Sequence, residues 1–182
     1  MVCKRKNDII EHEDCAELII RASKSEDIIG IVLVDLEDLE KVRYNKWCLK
    51  EGYAWNTKIG SNMHRYILNA PKSAIVDHIN GNKLDNRKCN LRLCTNAENS
   101  YNRPANSRNI LGVKGVSPIG KKFQAQICYK GKNYYLGIFD TIEEAKEAYD
   151  NKAYELFGEF SYQYSQDISE LNIENEEEIK NE

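Results

Sequence analysis

The stretch Ile75-Val-Asp-His-Ile-Asn-Gly-Asn-Lys-Leu-Asp-Asn-Arg-Lys-Cys-Asn-Leu-Arg-Leu-Cys-Thr-Asn-Ala-Glu-Asn99 decides how the chain is read. A β-type run, Ser73 to Val76, delivers a carboxylate and an imidazole side by side, Asp77 and His78. Asn80-Gly81-Asn82 follows as a tight reversal, because Gly and Asn tolerate the positive φ such a turn needs. A polar loop then leads to a second apolar run, Leu91-Arg92-Leu93. Thr95 to Glu98 reads as a capping box opening a helix. The expected order is strand, loop, strand, helix, with Asn99 in the helix's first turns and able to face Asp77 and His78. Oxygens of Asp77 and Asn99 are hard ligands, suited to Mg²⁺ or Mn²⁺. Such an ion would polarise a phosphodiester, and His78, neutral near pH 7, would take the proton of an attacking water. Asn90 is neither acid nor base, but its amide donates and accepts and can pin the loop across the hairpin.

The set Asp77-His78, Asn90-Leu91-Arg92 and Asn99 resembles the HNH endonucleases, particularly the homing type of phages and mobile introns. The likeness continues upstream through Met63-His64-Arg65 and covers residues 60–104. It implies a ββα-metal fold with His78 as general base, Asp77 and Asn99 on one Mg²⁺ or Mn²⁺ ion, and Asn90 holding the loop. Double-stranded DNA would be the substrate, cut to leave a 3′-hydroxyl and a 5′-phosphate. A monomer would nick and a homodimer could break both strands. The rival reading is a catalytically silent, sequence-specific DNA-binding regulator. The presence of Asp77, His78, Asn90 and Asn99 together tells against it.

At 182 residues the chain has room for one ordinary domain or a few small modules. No apolar run approaches the roughly 18–20 residues that span a membrane, and no apolar signal core follows Met1, so an intracellular, cytoplasmic protein is expected. Six scattered cysteines, at 3, 15, 48, 89, 94 and 128, read as reduced thiols. Without paired Cys-x-x-Cys motifs, zinc is not expected. The net charge of −3 is unevenly spread: residues 83–135 carry +9, 136–162 carry −5 and 163–182 carry −6. A basic middle between acidic ends is the footprint of a polyanion-binding surface.

Residues 1–24 show no clear repeat and are expected to form a poorly ordered arm, and residues 25–104 an HNH domain with a β-rich N-terminal extension. In the latter, Ile28 to Leu33 reads as a buried strand and Leu36 to Val42 as a short helix. Trp47, Leu49, Tyr53 and Trp55 read as a hairpin interrupted by Gly52 and packing a satellite core. Met63 to Leu68 reads as a helix ending before Pro71. Its Arg65 is a candidate phosphate contact. His64 is either near the scissile site or a scaffold histidine. Arg87, Arg92, Arg103 and Arg108 join Arg65 as candidate backbone contacts.

Residues 105–111 are expected to be a linker and 112–162 a second module of three antiparallel strands and one helix, an α+β protein throughout. Phe123, Ala125, Ile127 and Tyr129 alternate with Gln124, Gln126 and Cys128, and Lys130-Gly131-Lys132 turns the chain. Thr141 and Glu144 form a capping box before a stripe of Ile142, Ala145, Ala148, Tyr149, Ala153, Leu156 and Phe157. Gly115-Val116, Phe123-x-Ala-x-Ile127, Leu136-Gly-x-Phe-Asp-Thr-x-Glu-Glu-Ala145 and Ala148-Tyr-Asp150 resemble the APETALA2/ethylene-response-factor DNA-binding domain. That likeness implies a sheet laid in the major groove. The outward candidates are Gln126, Cys128, Asn133 and Tyr135, with Lys114, Ser117, Lys121, Lys122 and Lys132 nearby. Residues 163–182 are expected to be a disordered acidic tail.

Overall fold

Ala16, Leu18 and Ile20 recur at every second position, the period of a strand with one face in a core. In the computed structural model, which describes residues 6–162, they are 0–1 % exposed. They lie on β2 (Cys15–Arg21), the middle strand of an antiparallel sheet with β1 (Asp8–Glu11) and β3 (Ile28–Asp35). The expected N-terminal arm is therefore, from residue 8, two strands of a sheet. Flanking charges hide its alternation in the sequence, but Leu18 and Ile20 bury enough apolar surface to order it. Residues 1–5 and the expected acidic tail, 163–182, lie outside the described residues. β3 also differs from expectation. Val32 and Val34 point into the core while Ile28, Ile29 and Ile31 are exposed, so only one face is buried.

The rest of this first unit, which ends at Thr95, closes over that sheet. Helix α1 (Leu36–Val42) contributes Leu39 and Val42 to the core. A second sheet follows in the order β4 (Cys48–Lys50), β5 (Tyr53–Asn56), β6 (Ser61–Asn62), and then helix α2 (Met63–Ile67). Glu51 and Gly52, at φ 55° and 83°, make the tight β4–β5 turn. Trp47 sits at 1 % exposure among Leu18, Val42, Met63 and Ile67, and its indole N–H donates to the Val42 carbonyl at 3.0 Å. Asn7 pins the two sheets: its amide donates to the carbonyls of Ile19 and Trp47 and accepts the Trp47 N–H at 2.8 Å. On this platform stands an antiparallel pair, β7 (Ile75–His78) and β8 (Leu91–Cys94).

The second unit begins at Asn96. It opens with helix α3 (Asn96–Tyr101), followed by the antiparallel strands β9 (Val116–Ile119), β10 (Lys122–Tyr129) and β11 (Lys132–Phe139), with β10 central. Helix α4 (Ile142–Phe157) carries the expected capping box: Thr141 accepts the Glu144 N–H and the Glu144 carboxylate accepts the Thr141 N–H. Ala145, Tyr149 and Ala153 form its buried line. The expected linker, 105–111, is folded into this unit. Asn109 donates to the Val113 carbonyl at 2.6 Å and accepts the Leu111 N–H, and Leu111 and Val113 pack on Val116, Ala125 and Ala145. The first strand starts at Val116, after a turn in which Gly115 takes φ +71°. Among the described residues no helix is long and apolar enough to cross a membrane.

Gly115 leaves no room for a side chain: a Cβ there would lie 2.1 Å from the Tyr149 ring and 2.7 Å from the Gln126 carbonyl oxygen. Gly115→Ala is expected to destabilise the second unit by about 3 kcal/mol or more, combining left-handed backbone strain with overpacking. Urea unfolding followed by tyrosine signals of that unit checks it.

Candidate active site

Register places the carboxylate and the imidazole. Asp77 lies opposite Arg92 and His78 opposite Leu91 in the β7–β8 pair, so both site residues end the strand rather than follow it. Asp77 and His78 are 8 % and 5 % exposed. Arg92 donates from Nε at 3.0 Å and from Nη2 at 2.8 Å to Asp77 Oδ2. The side chain expected to reach DNA phosphate is thus the counter-charge of the site's own carboxylate. The reason is register, since a cross-strand pair of opposite charge is the nearest available partner.

Between the strands the loop is tied at both ends by Asn90. Its Oδ1 accepts the Asn80 N–H at 2.8 Å, its Nδ2 donates to the Asp85 carbonyl at 2.9 Å, and its own carbonyl accepts the Ile79 N–H at 2.9 Å. Asp85, only 2 % exposed, is the loop's buried charge. It accepts from Asn80 Nδ2 at 2.9 Å and, two-pronged, from Arg87 Nε and Nη2 at 2.9 Å each. Arg87, another expected phosphate contact, is therefore also committed within the protein. So is Arg65, which donates to the carbonyls of Ala74 and Pro71 at 2.6 Å each and braces the turn leading into β7.

His78 is enclosed by rings. His64 on α2 meets it edge-on with centroids 4.9 Å apart, and Tyr53 on β5 lies 5.3 Å from His64 and 6.0 Å from His78. Lys83 places its ammonium 4.5 Å from the Tyr53 ring centre. Burial pushes the His78 pKa below its ordinary value, and Asp77, Asn86 and Asp85 oppose this without reversing it. Burial, then His78 and Arg65, pushes His64 down to about 3. Both imidazoles are neutral at pH 7. Sequence reading missed Asp85, Tyr53 and Lys83. A single acid in a basic, Asn-rich loop was the available signal for Asp85, whereas Tyr53 and Lys83 come to His78 only through folding.

Asn99 lies on α3, in the second unit, and is half-buried. Of the other candidate DNA contacts in that unit, Arg103, Arg108 and Lys121 are exposed. Lys114 departs from expectation: its ammonium donates to the carbonyls of Tyr101 and Arg103 at 2.8 Å each, and burial lowers its pKa to about 8. Lys122 pairs with Asp140 at 2.7 Å and Lys132 lies 5.2 Å from the Tyr134 ring centre. Gln126 opposes Tyr135 and Cys128 opposes Asn133 across β10–β11, and Gln124 opposes Ser117 across β9–β10. Those side chains share the sheet face opposite the buried Ala125 and Ile127. An acidic trio, Asp35, Glu37 and Asp38, is met by Lys88, which donates its N–H to Asp35 and places its ammonium against Glu37 and Asp38.

A family model described as HNH endonuclease matches residues 69–101, the span that holds Asp77, His78, Asn90 and Asn99. A protein of Acanthamoeba polyphaga mimivirus, named as an uncharacterized HNH endonuclease, is 35% identical over 136 residues, covering 70% of this chain and 71% of its own length. The chain belongs to the HNH endonucleases. It is accordingly a DNA-cleaving hydrolase, in a family whose members generally depend on a divalent metal. Protein 3.8 of Escherichia phage T7 is 32% identical over 93 residues, covering 50% of this chain and 76% of its own length. No solved structure matches.

Two outcomes follow for this HNH site. Because the folded His64 pKa lies below the unfolded value, the unfolded chain binds more protons in between, so stability rises with pH from about 3 to 6.5. Urea midpoints should show that slope, about 1.4 kcal/mol per pH unit for one histidine, and His64→Phe should lessen it. Asp85→Ala, which leaves Arg87 without its buried counter-charge, should cost about 3–5 kcal/mol by the same measurement.

Proposed function

We propose that this HNH protein hydrolyses phosphodiester bonds in double-stranded DNA through a ββα-metal unit that includes β7 and β8, with the second unit as a DNA-binding module of the homing type. The observation that carries the catalytic part is a neutral imidazole, His78, beside a carboxylate, Asp77, on a loop tied at both ends by Asn90. A base that is already deprotonated at pH 7 can accept a proton without first losing one.

The donor set fits a hard divalent cation. Asp77 offers a carboxylate oxygen and Asn99 an amide oxygen, and the imidazole next to Asp77 adds no positive charge. Asp77 and Asn99 would hold one Mg²⁺ or Mn²⁺ ion, which when bound supplies Lewis-acid stabilisation of the charge on the scissile phosphate and leaving oxygen. Arg92, held on Asp77 Oδ2, fixes the carboxylate's orientation. His78 takes the proton of the water whose oxygen attacks phosphorus, the phosphorus–O3′ bond breaks, and the departing 3′ oxygen is protonated from solvent. His64 and Tyr53 wall the imidazole against rotation.

For targeting, the three-stranded sheet backed by one helix supports the APETALA2/ethylene-response-factor likeness. Its outward row of Ser117, Gln124, Gln126, Cys128, Asn133 and Tyr135 offers hydrogen-bonding groups to base edges in a major groove, with Arg103, Arg108 and Lys121 for phosphate. The protein would act inside the cell, as a nicking monomer or a double-strand-breaking homodimer.

Supercoiled plasmid incubated with the protein and Mg²⁺ should convert to open-circular or linear DNA. EDTA should abolish conversion, and His78→Ala should slow it about 10²-fold or more. Plasmid bound by wild type and variant alike but cut by neither would replace this reading with a DNA-binding regulator.

A further inference from the structure

Helix α3 is six residues long and none of its residues is fully buried. An isolated helix of that length is unstable in water, so its hold must come from outside itself. Within the second unit that hold is explicit. Tyr101, the last residue of α3, stacks on Phe157 at the end of α4 with centroids 3.9 Å apart and planes 9° apart. Tyr129, at the end of β10, completes the cluster at 6.2 Å from Tyr101 and 5.7 Å from Phe157. Lys114, in the turn before β9, donates its ammonium to the carbonyls of Tyr101 and Arg103 at 2.8 Å each and to that of Ser100 at 3.4 Å. Those are carbonyls at and just beyond the helix C-terminus, which lack intrahelical partners and gather the negative end of the dipole. A cation and a stacked aromatic pair therefore clamp the helix that carries Asn99, and both clamps belong to the sheet-and-helix module.

We propose that the second unit has a role beside its DNA-binding surface: it positions Asn99. Lys114, Tyr129 and Phe157 fix helix α3, and with it the side-chain amide of Asn99. The inference rests on Asn99 being a cation ligand. Ser117 and Tyr135 of the outward row lie outside the hollow lined by Tyr101, Lys114 and Phe157, so the two roles separate by mutation. The segment 105–111 is correspondingly a folded part of the clamp, since Asn109 and Leu111 anchor it to the β9 side of the same unit.

The test is Mn²⁺ binding to the full chain without DNA, read by electron paramagnetic resonance of free Mn²⁺, with hydrogen exchange of the α3 amides alongside. Lys114→Met and Tyr101→Ala should each weaken Mn²⁺ binding about ten- to a hundred-fold, the range for outer-shell supports of a metal ligand, and should speed α3 exchange. Lys114→Arg, which keeps charge and donors, should stay near wild type. The double variant Ser117→Ala with Tyr135→Ala should lose DNA affinity and keep Mn²⁺ affinity. Should Lys114→Met unfold the module, Tyr101→Ala gives the same reading, because Val116, Ala125 and Ala145 are untouched. Wild-type Mn²⁺ affinity in Tyr101→Ala, whether or not α3 exchange rises, overturns the proposal. Wild-type affinity in Asn99→Ala, with loss in Asp77→Ala, overturns the ligand assignment instead.

Discussion

The buried carboxylate of Asp85 is the fixed point of the catalytic unit. A charge at 2 % exposure is tolerable only if it is fully met, and here Arg87 meets it in two-pronged fashion while Asn80 adds a third donor. The same residue offers its carbonyl to Asn90 and lies in a parallel bridge with Leu33 of β3. Leu33 accepts from the Asn86 N–H and donates to the Leu84 carbonyl, so the loop is stitched to the N-terminal sheet by backbone as well as side chain. Loop geometry, and through it the placement of Asp77 and His78, is thus inherited from a sheet far away in sequence.

That dependence gives the N-terminal strands a functional reason. None of the expected catalytic residues lies within 8–35, but without β3 the loop has no edge to bridge. Lys88 adds a second tie, its N–H donated to Asp35 at 2.7 Å. Trp47 and Asn7 then lock this sheet to the β4–β5 hairpin, which presents Tyr53 to the two histidines. A rigid scaffold behind a short catalytic loop is what preorganisation requires, because positional error in the reacting groups is costly in rate. Burial supplies the second condition by keeping both imidazoles uncharged.

Local rules account for much of what the chain announces. The Thr141–Glu144 box, the buried line of Ala145, Tyr149 and Ala153, and the alternation of Phe123 to Tyr129 are short-range patterns, and such patterns survive into any fold that buries one face. The bulge between Ala125 and Gln126 is different. It skips Leu136 in the pairing, so Leu136 and Phe139 both turn inward while Ile138 comes to the surface at 46 % exposure. No period-two reading of β11 contains that change of side, because a register shift is a property of two strands together.

By itself the sequence determined the chemistry available here: an adjacent Asp and His, an amide across the loop, an amide on the following helix, and a basic centre. It did so because residue identity and short spacing are written in the chain. Tertiary structure alone decided the partners of the cations. Arg65, Arg87, Arg92 and Lys114 look equivalent as positive charges in the sequence, yet each is drawn into the protein by a carboxylate or a set of carbonyls. It also turned the N-terminal segment into strands and residues 105–111 into part of a folded unit. The physical reason is the same in each case: burial and hydrogen-bond satisfaction are settled between residues distant in the chain, and only the folded arrangement brings those residues within reach.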